Sequence, residues 1–226
     1  MHISLNPPEI FEFTISNQTF AVTMSIIMQW AIMAVIIVSV LLLTRNLSKI
    51  PSKRQTVIEM IVNLFNGLIG QNLGNDYKKR FVPFVGTLGI FIACMNLTGL
   101  IGFAPSTRDL NVTATLALIA AFVMNANSVS KNGLGGYLHG YIKPYAFMLP
   151  MNIIEKFTIP LSLALRLFIN MLVGVIFMEL TYMALGYFAF VIPIPLHFFF
   201  DLFVALIQTY VFVMLTIVFT KTSAEE

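Results

Sequence analysis

The chain has 226 residues, of which 58% are hydrophobic and only 10% are charged, whereas about a quarter of the residues in soluble domains are charged. This composition excludes an ordinary soluble globular domain and indicates a protein whose main surroundings are the lipid bilayer. The formal net charge of +3 is explained more simply by membrane topology than by nucleic-acid binding, so we expect no nucleic-acid partner.

The first long apolar segment covers residues 22–43 and contains no charged residue. A helix needs about 20 such residues to cross about 30 Å of hydrocarbon. The first 20 residues contain no Lys or Arg, and no small-residue cleavage site follows the apolar run, so we expect no cleaved signal peptide. The first span is therefore predicted to remain in the mature protein.

The next segment, residues 52–70, has the pattern of a helix that lies in the membrane interface. Polar residues Glu59, Asn63 and Asn66 lie opposite apolar residues that recur at helical spacing. The apolar residues are Val57, Ile61, Leu64, Phe65 and Leu68. We predict an amphipathic helix that does not cross the bilayer.

Four further apolar segments follow, at residues 81–103, 111–129, 147–187 and 195–220. The single cysteine, Cys94, cannot form an intrachain disulfide and does not indicate a metal cluster. The segment at residues 147–187 lacks a convincing turn. As one helix it would be roughly 60 Å long, so it fits a bilayer only if it is strongly tilted or bent. The alternative is two short spans broken near Pro160. The last segment, roughly 39 Å long as a helix, would tilt as well.

The distribution of basic residues sets the predicted orientation. With five spans, one side of the membrane holds only Arg108, whereas the other side holds ten basic residues. These ten are Arg45, Lys49, Lys53, Arg54, Lys78, Lys79, Arg80, Lys131, Lys143 and Lys221. The N-terminus is then outside and the C-terminus is cytoplasmic. A sixth span would move only Lys221, so we prefer five because the long helix lacks a turn.

Together these features predict an all-α polytopic membrane protein that forms a single membrane domain over residues 1–226. It has about five transmembrane helices, of which the last two are long and strongly tilted, and one interfacial amphipathic helix. We find no internal repeat, which argues against the inverted-repeat secondary transporters.

Arg166 is the most informative residue, because it lies far inside a long apolar helix. An arginine at the membrane centre costs about 2.5–3.5 kcal/mol even on insertion scales, so a partner or a function has to offset that cost. The guanidinium stays protonated and cannot relay a proton, but it can attract a carboxylate or bar a cation. It suits a fixed electrostatic gate. The alternatives are a structural ion pair or a snorkelling side chain, and snorkelling is difficult so far from either helix end.

Glu155, Ser162 and Asn170 fall on the same helical face as Arg166. Glu155 is nearer the predicted cytoplasmic side, so this stripe is a candidate path from that side to the middle of the membrane. Ser162 and Asn170 also fit ordinary helix packing in membranes.

A second set of polar residues is predicted nearer the outside. Glu179 lies about 220° around the helix from Arg166 and is therefore not its intrahelical partner. On the last helix His197, Asp201 and Gln208 are spaced four and seven residues apart, which predicts one polar face. With Glu179 they form a candidate outer path, since His and carboxylates exchange protons. The alternative is a satisfied polar cluster that holds two helices together.

Three motifs resemble subunit a of F-type ATP synthases. The segment Pro160-Leu-Ser-Leu-Ala-Leu-Arg-Leu-Phe-Ile-Asn170 resembles the arginine helix of that family, and Gln208-Thr-Tyr-Val-Phe-Val-Met-Leu-Thr-Ile-Val-Phe219 resembles its C-terminal helix. Asn96-Leu-Thr-Gly-Leu100 with Asp109-Leu-Asn-Val-Thr113 resembles its second and third spans. The resemblance runs from about residue 81 to the end.

This resemblance implies a fold in which two long tilted helices wrap a rotating ring of c subunits. Arg166 would then face the ring carboxylate, with Ser162 and Asn170 in an inner half-channel and Asp201 and Gln208 in an outer one. The implied partners are the c-subunit ring, the peripheral-stalk b subunits and other ATP synthase subunits, in a bacterial plasma (inner) membrane. We expect no cofactor and, since the chain has no phosphate loop, no nucleotide site. The transported ion can be H⁺ or Na⁺.

The chain departs from the family pattern at two positions. Many relatives have a titratable residue after the glycine where this chain has Gly174-Val175, and Glu179, one turn later, is a candidate to replace it. Ile169 replaces a frequent glycine. Two other functions stay open: a carrier or channel subunit of another class in which Arg166 binds an anion, and a purely structural membrane scaffold.

Overall fold

The computed structural model describes residues 9–15, 18–45, 48, 52–103, 105–140, 147, 149–185 and 193–225. Five helices in this part of the chain are long and apolar enough to cross a membrane. They cover Met24–Thr44, Lys78–Ile101, Leu110–Gly133, Leu149–Leu185 and Pro193–Ser223. The predicted class, an all-α polytopic membrane protein, is confirmed.

A two-stranded antiparallel hairpin precedes the first span and was not predicted. Strand β1 covers Glu9–Ile15 and strand β2 covers Gln18–Thr23, with Phe13 paired to Phe20. Aromatic and β-branched residues in β1, followed by the turn residue Asn17, are the sequence signal that favours a hairpin here. Helix α1 begins directly after the hairpin and covers Met24–Thr44, two residues later than the span predicted from the apolar run.

Helix α2 covers Lys53–Asn72 and lies outside the group of membrane-crossing helices. The second half of α2 packs on the protein, where Ile69 is fully buried beside Phe65 and Leu68. Its first half leaves apolar residues such as Val57 and Met60 exposed. An exposed apolar face on a non-spanning helix is typical of the membrane interface.

Helix α3 covers Lys78–Asn96 and continues as a 3₁₀ turn through Leu97–Ile101. A Cβ atom added at Gly89 would lie 3.0 Å from Val213 and 3.2 Å from the Phe65 ring. This glycine therefore lets two neighbouring helices approach α3 closely. Close approach through small residues is the usual way in which membrane helices pack, because lipid leaves little hydrophobic driving force between them.

Helix α4 covers Leu110–Gly140 with a kink at Gly133, whose φ is 70°. The sequence predicts that the third span ends at Val129, but helical conformation resumes beyond the kink. A left-handed φ is readily adopted only by glycine, so Gly133 can change the chain direction without ending the helix. At the same end of the molecule, the Arg80 guanidinium donates a hydrogen bond to Ser130 Oγ at 3.2 Å.

Helix α5 covers Leu149–Leu185 as one continuous helix of 37 residues that includes Pro160. The alternative of two short spans broken at Pro160 is therefore wrong. At 1.5 Å per residue α5 is about 56 Å long, nearly twice the thickness of the hydrocarbon core. A helix of this length fits a bilayer by tilting or by extending beyond it.

The last helix, α6, has three consecutive segments. They are Pro193–His197, the π-helical Phe198–Val204, and Ala205–Glu225. π-helical turns are rare and are frequently found at functional sites, where they change the direction of side chains along a helix. Asp201 lies in the middle of this segment.

Helices α3, α4, α5 and α6 together form the main core. Buried residues from all four helices pack there, among them Ile92, Ala120, Leu167 and Phe212. Buried threonines on α6 donate hydrogen bonds to carbonyl groups one turn earlier, as Thr216 does to Phe212 and Thr220 does to Thr216. These hydroxyls are satisfied within the helix, so they pack in the apolar core at little cost.

Candidate functional site

One face of α5 is uncovered by the rest of the described chain, and it carries the polar stripe expected from the sequence. Glu155, Ser162, Arg166 and Asn170 are all exposed. The opposite face packs into the core through residues such as Leu167. The helical spacing of the sequence placed these four residues on one face, and an uninterrupted α-helix keeps them there.

Arg166 has no hydrogen bond and no ion pair with any residue that the structure describes. An unpaired guanidinium at membrane depth is costly, and lipid chains offer no acceptor for its five N–H groups. Its position on an uncovered face means that a partner has to approach from outside this part of the chain. The reading of Arg166 as half of an internal ion pair is not supported by the described residues.

Asn170 and Gln208 contact each other directly. Asn170 Nδ2 donates to Gln208 Oε1 at 2.6 Å, which joins α5 to α6 one turn beyond Arg166. The family resemblance implies that these two residues belong to opposite half-channels, but their side chains form one pair. Gln208 is 3% exposed, and its Nε2 atom has no acceptor among the described residues. A buried donor without an acceptor favours a water molecule or a partner group at this point.

His197 and Asp201 form the centre of a second polar group, nearer the start of α6. His197 Nδ1 lies 2.5 Å from Asp201 Oδ2, and Tyr182 Oη of α5 lies 2.9 Å from His197 Nε2. The sequence predicted His197 and Asp201 but missed Tyr182. A tyrosine is common in apolar helices for its ring alone, so only the tertiary contact identifies the role of its hydroxyl.

The Asp201 carboxylate packs against the end of α3. A Cβ atom added at Gly99 would lie 2.8 Å from Asp201 Cγ, closer than any real Cβ contact allows. Only a glycine leaves room for the carboxylate at this position. Gly99 belongs to the motif around the second span, but sequence reasoning gave the residue no role. Three spans therefore meet at the His197–Asp201 pair, since α3 contacts Asp201 through Gly99 and α5 contacts His197 through Tyr182.

Glu179 is partly buried on α5 and has no hydrogen bond or ion pair with the described residues. The structure does not bring it into direct contact with His197 or Asp201. It is three residues before Tyr182, so the two side chains lie on neighbouring positions of one helix face. Val175, at the position where many relatives have a titratable group, is partly buried as well.

A buried hydrogen-bonded network lies beside the His197–Asp201 group and was also missed. Thr107 Oγ1 donates to Asn96 Oδ1 at 2.7 Å, and Asn96 Nδ2 donates to Thr209 Oγ1 at 3.3 Å. Asn96 and Thr107 are fully buried. Since Thr209 follows Gln208 directly, this network holds the Gln208 turn of α6 against α3.

A third polar group lies at the other end of the bundle. Lys156 Nζ donates to Ser223 Oγ at 3.1 Å, and Ser128 Oγ donates to the Ser223 carbonyl. This group ties the end of α6 to α4 and α5. In the part of the chain that the structure describes, no cluster of three or more His, Cys, Asp or Glu residues is arranged to hold a metal ion.

The sequence profile of the family described as ATP synthase A chain matches residues 26–221. The chain belongs to this family. It is 34% identical over 220 residues to the "ATP synthase subunit a, sodium ion specific" of Propionigenium modestum, a match that covers 90% of this chain and 75% of the relative. It is 34% identical to the ATP synthase subunit a of Moorella thermoacetica, with 86% and 88% covered, and 36% identical to the ATP synthase subunit a 1 of Hahella chejuensis, with 89% and 84% covered.

The resemblance to F-type ATP synthase subunit a is thereby confirmed. The family and the apolar helices identify a multi-pass membrane protein that has an ion-translocating stator role in an F-type ATP synthase and other ATP synthase subunits as its partners. This membership argues against a carrier or channel subunit of another class.

Proposed function

We propose that this chain provides two offset half-channels for an ion, separated by Arg166, and that the ion passes to and from a carboxylate on a ring of c subunits. The observation that carries the proposal is the exposed position of Arg166 without a partner among the described residues. A ring carboxylate that passes this face would supply the missing anion. The peripheral-stalk b subunits are proposed as further partners.

The inner half-channel follows the exposed stripe of α5. Glu155 lies eleven residues before Arg166, which corresponds to about 16 Å along the helix, or about half of the hydrocarbon thickness. Ser162 lies between them on the same face. Polar groups at this spacing would hydrate the distance from the cytoplasmic interface to the middle of the membrane. The proposed orientation, in a bacterial plasma membrane, has the N-terminus outside and the C-terminus in the cytoplasm.

The outer half-channel follows the polar groups of α6 and the outer part of α5. The ion would pass His197 and Asp201 and then reach Gln208, whose pairing with Asn170 supports placing both residues at the divide beside Arg166. Glu179 is proposed to replace the titratable group that is absent at Val175. Its partly buried position on the outer part of α5 is the support for this role.

Arg166 would act as a fixed positive charge between the two half-channels. It repels a cation that enters from either side, and it attracts a ring carboxylate that has released its ion. Net passage then requires rotation of the ring, which carries the ion past the arginine. The membrane potential does work of about 2.3 kcal/mol per charge for each 100 mV, and this work drives the rotation.

The identity of the ion is not set by this scheme. The name of the Propionigenium modestum relative states that that protein is specific for sodium. A path lined with carboxylate, hydroxyl and amide oxygens is compatible with hydrated Na⁺ as well as with H⁺, so the half-channel proposal holds for both.

Replacement of Arg166 by alanine tests the proposal. We expect R166A to abolish ATP-driven ion pumping in membrane vesicles, because the two half-channels are no longer coupled through the ring. ATP hydrolysis by the detached soluble head should persist, since the variant does not alter the head. The two measurements are ion uptake into vesicles and phosphate release.

The matched control is Leu161→Ala. Leu161 is an exposed side chain on the same helix, five residues before Arg166 and on a different face. L161A should pump at the wild-type rate. Coupled pumping that persists in assembled R166A complexes would overturn the proposed function.

A further inference from the structure

Three polar side chains form a continuous line from the outer end of α5 into α6. Tyr182 Oη lies 2.9 Å from His197 Nε2, and His197 Nδ1 lies 2.5 Å from Asp201 Oδ2. The two rings also pack, with centroids 6.1 Å apart. Both nitrogens of the imidazole are thus engaged, one by each neighbour, so its orientation is fixed.

Exposure decreases along this line. Tyr182 is 45% exposed, whereas the side chains of His197 and Asp201 are 38% and 16% exposed. Asp201 is therefore the most enclosed of the three side chains, and Tyr182 and His197 lie near the ends of α5 and α6 that the proposed orientation places outside. The direction agrees with that of the outer half-channel, on which this inference rests.

The line has the chemistry of a proton relay. With Asp201 ionised, the carboxylate can only accept, so His197 Nδ1 carries a hydrogen and Nε2 accepts the hydrogen of the Tyr182 hydroxyl. When an outer hydronium ion gives a proton to Tyr182 Oη and leaves as water, the hydroxyl hydrogen can move to Nε2 while the Nδ1 hydrogen moves to Asp201. One proton enters and one proton reaches Asp201. The imidazole is left neutral in its other tautomer, with its hydrogen on Nε2. Before the next transfer the ring has to break both hydrogen bonds and rotate, or lose the Nε2 hydrogen to water while Nδ1 gains one from water, so that Nδ1 again carries a hydrogen.

The same geometry does not suit a sodium ion. Hard cations are bound by several oxygen atoms, and imidazole nitrogen is a poor ligand for them. One Asp201 oxygen is bound to the His197 ring, and the carboxylate packs against Gly99. A cation would have to break the His197–Asp201 contact to gain a carboxylate ligand.

We propose that Tyr182 positions His197 at the entrance of the outer half-channel, and that Tyr182, His197 and Asp201 pass protons by exchange of hydrogen bonds, so that the transported ion is H⁺. The hydroxyl of Tyr182 is the specific contribution, because it holds the imidazole and supplies the exchangeable hydrogen. A residue that only packed between helices would contribute its ring and not its hydroxyl.

Tyr182→Phe removes the hydroxyl and keeps the ring. In vesicles that carry the assembled membrane sector without the soluble head, we expect passive H⁺ conduction to fall about 100-fold, at the lower end of the range in which a positioned proton-transfer group contributes to a rate. Tyr210→Phe is the matched control. Tyr210 is exposed on α6 without a hydrogen-bond partner among the described residues, and its variant should conduct as the wild type does.

Two further readouts separate a relay from simple packing. The double variant Y182F/H197Q should conduct no less than H197Q alone, because the hydroxyl acts through His197. ATP-driven pumping by the intact complex should acidify vesicles and should give no uptake of radioactive ²²Na⁺ when a protonophore is present. H197Q also serves as the test if Y182F fails to assemble, and it should lose conduction to at least the same extent.

Wild-type conduction in assembled Y182F, or in assembled H197Q, would overturn the inference, as would ²²Na⁺ uptake that resists the protonophore. The half-channel proposal fails separately, through coupled pumping in R166A. If R166A abolishes pumping while Y182F conducts normally, only the relay is wrong.

Discussion

Gly99 controls the position of the Asp201 carboxylate, although it has no functional group. A Cβ atom at this position would lie 2.8 Å from Cγ and 2.9 Å from Oδ1 of Asp201. The nearest atoms belong to a side chain, so the carboxylate can move away without unfolding the helices. The expected consequence is a displaced proton acceptor in an otherwise intact protein.

We therefore expect Gly99→Ala to slow passive H⁺ conduction by roughly tenfold, since a displacement of about 1 Å at a reacting group can cost up to about 100-fold. Conduction is measured in vesicles that carry the membrane sector alone. Gly67→Ala is the control, because nothing lies within 4 Å of the added atom. Wild-type conduction in assembled G99A would show that the position of Asp201 is not restricted in this way.

At the scale of single elements, the π-helical segment Phe198–Val204 determines how α6 presents its polar groups. A π turn takes more residues than an α turn, so Asp201 is rotated relative to Gln208 from the position that uniform α-helical spacing predicts. His197 and Asp201 keep their contact, whereas Gln208 lies on the following α-helical segment and faces Asn170.

Deletion of Phe199 should convert this segment towards regular α-helix. Because the π segment takes up one extra residue, its conversion leaves the flanking α-helical parts at nearly the same orientation but changes the direction of Asp201 between them. We expect the His197–Asp201 contact to be lost and H⁺ conduction to fall to the level of H197Q. Phe199→Ala keeps the residue count and should conduct at least half as well as the wild type. Normal conduction in the assembled deletion variant would contradict a role for the π turn.

Sequence periodicity predicts which residues share a face of a regular helix, but it does not predict irregular turns or contacts between helices. The stripe of α5 follows from 3.6-residue spacing because the helix runs without interruption through Pro160. The π segment could not be predicted, since an extra residue in a turn leaves no mark in an apolar sequence. Tyr182 and Gly99 were missed for a different reason: their roles arise from contacts between helices, which one sequence does not specify. The hairpin could not be predicted from hydropathy, because its strands are short and their alternation is weak beside the long apolar runs.

At the scale of the whole molecule, helix α5 has one face in the packed core and one face that the described chain leaves uncovered. Helix α5 buries Leu163, Leu167 and Met171 in the bundle and leaves Arg166 on the uncovered side. Its length of about 56 Å gives a tilted helix a long surface against a curved partner. In the proposed scheme this chain provides both half-channels, and the carrier that joins them comes from another subunit.

The central claim is that Arg166 separates the two half-channels. The most direct test is passive ion flux through head-free membrane sectors whose ring has been immobilised by a cross-link to this chain. With a locked ring we predict no flux for the wild type or for Arg166→Lys, which retains the charge, and a measurable leak for Arg166→Ala, whose two polar paths are no longer divided by a cation. If the R166A sector with a locked ring shows no more passive ion flux than the wild type, the account is contradicted.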